Sequence, residues 1–195
     1  MKKPISNNIE LSIKSTTKTI ISEIDYVLDG IKEDEFKRFV TAIDSSKSIF
    51  VTGQGRSGLV ARTFAMRLTH IGFSCHVVCD TTTPNIDKGD MLIACSSSGT
   101  TSITCHIVGL AKRLKALVVV ITAHPDSELS ASADLTIEIP ASDTDQVIQS
   151  QLTAQFRSTL FEQACLLYLD AVILSLVRLL NREEDEMMNR HANLE

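Results

Sequence analysis

Apolar residues first recur every three or four positions along this chain and then gather into short unbroken runs. That change of period separates helical from strand territory. From Asn8 to about Gly30, Ile9, Ile13, Ile20, Ile24, Val27 and Leu28 keep a largely helical spacing, which ends at a glycine suited to a C-cap. A second amphipathic helix is predicted from about Glu33 to Ser45, with Phe36, Phe39, Val40 and Ile43 on one side. Thereafter "SIFVTG", "FSCHVVC", "DMLIACS", "ALVVVITAH" and "LTIEIP" read as strands, and "SGLVARTFAMRLTHIG", "TSITCHIVGLAKRL" and a short segment near Asp126 read as helices. Nearly continuous Val/Ile/Leu runs linked by helices predict a parallel sheet covered on both faces. After Pro140 a polar stretch, "ASDTDQVIQSQ", leads into a long helix from about Thr153 to Leu180 and a short acidic helix behind it.

This pattern predicts one α/β domain: a flavodoxin-like three-layer sandwich around a parallel sheet of about five strands. Residues 1–45 form a helical arm, 47–140 the sheet core and 152–195 the C-terminal helices. A chain of 195 residues with 44% hydrophobic content can bury such a core without disulfides or metals. Its net charge of -5 and aromatic content of 5% oppose phosphate-backbone binding and base stacking, so no nucleic-acid partner is expected. The amino-terminal "MKKPISNNIELSIK" has no apolar run or cleavage site of a secretory signal, and a cytoplasmic location is expected. Five scattered cysteines suit reduced core thiols. "ACLLYLDAVILSLVRLL" is too short for a membrane span and carries Asp170 and Arg178, so no membrane association is expected. A helix buried all round, in a subunit interface, is predicted there.

Two strand-to-helix turns carry candidate chemistry. "GQGRSG" places Gly53, Gly55 and Gly58 in the spacing G-x-G-x-x-G, with Asp80 ending the next strand where a dinucleotide's ribose would need a carboxylate. Against a dinucleotide stand the two preceding helices and the polar side chains of Arg56 and Ser57 within the loop. The second turn, "SSSGTTS", decides between the readings. It offers Ser96, Ser97, Ser98, Thr100 and Thr101 around Gly99, where one hydroxyl would suffice to cap the helix. Backbone amides, a positive helix end and several hydroxyls converge there to cradle a single phosphate. Gly55, Arg56 and Ser57 can then approach the sugar from the adjacent strand end.

These residues resemble the sugar isomerase (SIS) domain family, whose phosphate loop reads S-x-S-G-x-T and here appears as Ser96, Ser98, Gly99 and Thr101. Within the family, "GRSG", "FAMRLTHIGF", "TTTP", Phe161 with Glu162, and the terminal "RHANLE" are most similar to the 6-phospho-3-hexuloisomerases. The resemblance implies a phosphate held by Ser96, Ser97, Ser98, Gly99 and Thr101, with Gly55, Arg56, Ser57, Thr81 and Thr82 toward the sugar. It implies conversion of a 3-hexulose 6-phosphate to fructose 6-phosphate through a cis-enediol, within formaldehyde fixation. It also implies a homo-oligomer, a tetramer built from dimers, working beside 3-hexulose-6-phosphate synthase.

For that chemistry Glu162 is the candidate base, set in the apolar stretch "STLFEQACLL" where desolvation would raise its pKa. His191 is the candidate proton shuttle, reaching a neighbouring subunit's site. Residue pattern alone favours a solvated carboxylate for Glu162 and a frayed tail for His191, and the resemblance is what raises both to site residues. An enediol route needs no cofactor. No metal site is expected either, because His70, Cys75, His76 and Cys79 cannot converge when strand alternation points His76 away from the cysteines. Two departures from the family pattern stand out. Thr100 replaces a charged loop residue, and "QLTAQFRSTLFEQ" replaces a glycine-containing segment before Glu162. The rival functions are another SIS isomerase acting on arabinose 5-phosphate, and a sugar-phosphate sensor without turnover.

Overall fold

The computed structural model describes residues 12–141 and 153–194. The predicted helix start at Asn8, Ile9, and most of the polar stretch after Pro140 lie outside those residues. The described helix α1 covers Ile13–Asp29 and is capped by the Ser12 hydroxyl, which accepts from the Ser15 amide. Helix α2 covers Glu33–Ser45, with three acidic residues in its first turn to complement the helix dipole. Gly30 does follow α1, but in right-handed conformation. Its lack of a side chain serves close packing instead, since a Cβ there would stand 2.9 Å from Pro140 Cγ.

Strand β1 (Ile49–Gly53) opens the sheet and turns into α3 (Gly55–His70). Strand β2 (Cys75–Val77) follows, then β3 (Met91–Cys95), α4 (Ser102–Arg113) and β4 (Leu117–Thr122). The short helix α5 (Glu128–Ala131) and strand β5 (Leu135–Glu138) precede the long helix α6 (Thr159–Leu179) and the acidic α7 (Glu184–Met188). The five strands are parallel in the order β2-β1-β3-β4-β5, the flavodoxin-like order.

Alternate strand residues feed two cores, as a pleat requires. Ile49, Val51, Ile93, Val119, Ile121 and Ile137 face α1, α2, α3 and α6, where Phe39, Phe64 and Tyr168 cluster. Phe50, Leu92, Ala94, Val118 and Val120 face the thinner layer of α4 and α5. Helices therefore cover both faces.

Two expectations need correction. Strand β2 is three residues long, not the whole of "FSCHVVC", because Cys79 adopts φ 74° and turns the chain away. Helix α6 begins at Thr159, not Thr153. Arg157 at φ 45° breaks the helical path, and Glu23 on α1 captures the preceding residues. Its carboxylate accepts from Thr153 Oγ1 (2.6 Å), the Ala154 amide (2.9 Å) and Gln155 Nε2 (2.9 Å). Within the single chain α6 buries one side. Leu160, Ala164, Tyr168, Val172 and Leu176 pack inward, while Leu167 and Leu174 are exposed. Among the described residues α6 is the one helix long and apolar enough to cross a bilayer, but 56% of its most apolar stretch is buried in the fold.

Candidate active site

Strands β1 and β3 are neighbours in register, Gly53 opposite Cys95, and the chain leaves them in opposite directions across the sheet. Their carboxyl ends flank the crevice where doubly wound sheets bind ligands. The turns "GQGRSG" and "SSSGTT" open side by side there. Between the glycines of the first turn, the geometry answers the dinucleotide question. A Cβ on Gly58 would stand 2.6 Å from the Gly53 carbonyl oxygen, and one on Gly53 would stand 2.9 Å from that of Cys95. These two glycines let α3 press onto the strand. Gly55 has open space around it but takes φ +57°, so its need is conformational. Asp80, the carboxylate a ribose would require, is 2.8 Å from Arg62 in an ion pair.

The second turn is held from below by β4. Thr122 Oγ1 and the Ala123 amide both donate to the Ser97 carbonyl, at 3.0 and 3.1 Å. The Leu129 amide donates to the Gly99 carbonyl at 3.1 Å. Gly99 sits at φ +64° against Ser127, whose Oγ would lie 2.1 Å from an added Cβ. Thr101 occupies the N-cap of α4 but makes no side-chain cap bond, and its hydroxyl lies 3.2 Å from Ser96 Oγ. The cap reading therefore fails at Thr101, the position where it applied. Ser98 is exposed and its hydroxyl accepts from Thr100 Oγ1 at 3.2 Å.

The Ser97 hydroxyl is buried without a hydrogen-bond partner among the described residues. The first amides of α4 have no carbonyl within the helix to meet, and the first turn contains no acidic residue. Such an arrangement of donors suits an anion.

Glu162 lies in the first turn of α6 and is 9% exposed. Its Oε2 accepts from Nε of Arg56, the second residue of α3, which is itself exposed. Cys165, one turn further along α6, neighbours Cys95 at the end of β3, where the serine-rich turn starts. The neighbouring Cys95 thiol and burial push the Cys165 thiol well up, so it is a packing group and not a nucleophile. A cavity of about 270 Å³ opens beside Glu162 between α3 and α6, lined also by Arg56, Leu59, Val60, Thr63, Gln163 and Leu166.

The remaining candidates are placed elsewhere. Ser57 is buried at the start of α3, one residue beyond Arg56. Thr81 and Thr82 are exposed beyond β2, and Thr82 lines a separate cavity of about 310 Å³ with Arg62, His76 and Asp80. His191 stacks on His70 with ring centroids 5.0 Å apart. His70 ends the helix that Gly55 begins, so within one chain His191 lies about 22 Å from the glycine turn, at 1.5 Å per residue. Burial, with the charges of His191 and Arg67, holds His70 below the usual histidine range. Among the described residues no three His, Cys, Asp or Glu side chains could hold a metal.

Sequence reasoning missed several supports. Thr122 and Ser127 shape the serine-rich turn, Gln163 presents a buried carbonyl oxygen without a partner among the described residues, and Glu23 anchors the approach to α6. A threonine ending the apolar run "LVVVIT" was the one local signal among them.

The chain belongs to the SIS domain family, whose pattern matches residues 42–161. Among curated relatives it is 41% identical over 176 residues to the 3-hexulose-6-phosphate isomerase of Bacillus subtilis, covering 90% of this chain and 95% of that one. It is 45% identical over 148 residues to the enzyme of the same name from Mycobacterium gastri, covering 75% and 73%. A crystal structure of a Methanococcus jannaschii protein with an inferred 3-hexulose-6-phosphate isomerase function superposes with a TM-score of 0.80 at 31% identity. It covers 93% of this chain and 99% of that one.

Proposed function

We propose that the protein is a 3-hexulose-6-phosphate isomerase, converting the 3-ketose 6-phosphate to fructose 6-phosphate. The observation that carries this reading is the meeting, at one sheet crevice, of an anion-suited hydroxyl turn and a buried carboxylate held by arginine. Relatives of that name at 41 and 45% identity support it. Ser96, Ser97, Ser98, Gly99 and Thr101 hold the phosphate, which fixes the far end of the sugar. Gly55, Arg56 and Ser57 face its carbon chain, with Thr81 and Thr82 at the margin.

The reaction exchanges a carbonyl between C3 and C2. Glu162 takes the proton from C2, the C2–H electron pair becomes the C2=C3 bond of a cis-enediol, and the C3 carbonyl oxygen gains a proton. Return of the carbon-bound proton to C3, with loss of the O2 proton, completes the exchange without a cofactor. His191 moves the proton between the two oxygens. Its stacking on His70, far from its own chain's glycine turn, supports a role in a neighbouring subunit's site; the assembly in this reading is a homotetramer built from dimers. The setting is the cytoplasm, in formaldehyde fixation by the ribulose monophosphate route, supplied by 3-hexulose-6-phosphate synthase.

The test is a coupled assay in which 3-hexulose 6-phosphate is formed from ribulose 5-phosphate and formaldehyde and fructose 6-phosphate is recorded. Product should appear only with this protein. Glu162→Gln should lower kcat by about 10² to 10⁴-fold while fructose 6-phosphate still binds. Tight hexose-phosphate binding with no turnover would instead identify a sensor, and turnover of arabinose 5-phosphate alone would identify the other isomerase.

A further inference from the structure

We infer that Arg56 is a positioning residue for Glu162, setting which carboxylate oxygen works as the base, and is not simply a sugar contact. The inference rests on the functional reading above. Arg56 and Glu162 are 106 residues apart in sequence and belong to different helices, yet Nε of one donates to Oε2 of the other. Their exposures are unequal, 60% for the arginine side chain and 11% for the glutamate. A carboxylate that sheltered is held in one orientation by its charged partner, and losing the partner would leave a buried charge without compensation.

The geometry assigns the two oxygens different work. Oε2 is committed to the guanidinium, which leaves Oε1 to take the proton from C2 of the ketose. Among the described residues the guanidinium bonds through Nε alone, and its two Nη groups have no partner there. Arg56 lines the 270 Å³ cavity beside Glu162 together with Leu59, Val60 and Leu166, and in this proposal its Nη groups face the oxygens at C2 and C3. One planar group thus fixes the base and meets the negative charge that builds on O3 as the proton leaves C2. Lysine, a point charge on a flexible stem, cannot do both at once. Nothing is consumed: the proton passes from C2 to Oε1 and back to C3, and the guanidinium stays protonated throughout.

Three variants test this through measurements that a purely structural role would not move. Arg56→Ala should lower kcat about 10²-fold and keep its affinity for inorganic phosphate within a few-fold. Added guanidinium at millimolar concentration should restore part of its turnover by entering the cavity. Arg56→Lys should lose most of kcat with KM little changed, and it carries the test if the alanine variant does not fold. Arg56→Gln should resemble the alanine variant without the rescue. Wild-type kcat in Arg56→Lys, or a fall in phosphate affinity that matches the fall in turnover, would overturn the assignment and leave Arg56 a binding residue. A wild-type protein without activity on the 3-ketose would overturn the underlying functional reading instead, whatever Arg56 does.

Discussion

Gly99→Ala is the sharpest test of the phosphate turn, because one methyl group meets two separate obstacles. The backbone there stands at φ +64°, a conformation that costs an L-residue about 1–2 kcal/mol. The new Cβ would also lie 2.1 Å from Ser127 Oγ and 2.4 Å from Ser127 Cβ, far inside contact distance. Ser127 cannot simply swing away, since its hydroxyl receives the Ser130 amide at 3.4 Å and lies 3.1 Å from Ser130 Oγ. Overpacking of this kind costs about 1–3 kcal/mol, so the total is about 2–5 kcal/mol. For a chain of this size that lowers the melting temperature by about 4–20 °C. The turn must also move, so stabilisation of the protein by added inorganic phosphate or fructose 6-phosphate, read as a rise in Tm, should shrink sharply. Adding Ser127→Gly removes the collision and leaves the conformational cost. The double variant should therefore be less destabilised than the sum of the two single variants, a coupling expected only for residues in contact. Thermal denaturation followed by circular dichroism, with and without the phosphate compounds, measures both quantities. A Gly99→Ala protein that melts and responds to phosphate like the wild type would refute the argument.

Three further expectations concern stability. Gly58→Ala should cost more than an ordinary surface change, because its Cβ would meet the Gly53 carbonyl at 2.6 Å and backbone cannot rotate aside; chemical denaturation measures the loss. For Glu23, burial works against the charged form, but its hydrogen bonds from Thr153, Ala154 and Gln155 outweigh burial and hold the carboxyl below its ordinary value of 4.5. Its contribution is then full above pH 4.5 and is lost as pH falls through the lower folded value. Glu23→Gln should cost about 1–3 kcal/mol at neutral pH and flatten the acid limb of the stability curve. His70, held below 6.5 chiefly by burial, behaves oppositely to a histidine that gains a partner. The unfolded chain takes up the proton first, so stability falls as pH drops below 6.5 and levels off below the folded value. His70→Leu should remove that slope between pH 6.5 and the folded value, and an unchanged slope would exclude His70 as its source.

By itself the sequence determined the order of elements and the place of the serine- and threonine-rich turn after β3. Runs such as "MLIAC" and "LVVVIT" are apolar on both alternations because both faces of those strands are buried, and that condition is written locally. The bounds of α2 were equally legible, since its amphipathic spacing and acidic first turn lie within the segment. The cluster of hydroxyls around Gly99 marked a turn with more donors than a cap requires. Only the tertiary structure decided what depends on contacts between distant segments. Helix α6 starts late because Glu23, some 130 residues earlier, binds the chain at Thr153 and Ala154, a competition no local pattern carries. Glu162 pairs with Arg56 because α3 and α6 pack together, and burial of the carboxylate follows from that packing. His191 lies by His70, remote from its own chain's glycine turn, because α3 runs back along the sheet and carries its two ends to opposite ends of the strands. Local periodicity records how often a residue faces the core, whereas a site is made by which faces meet, and that is fixed only when the chain has folded.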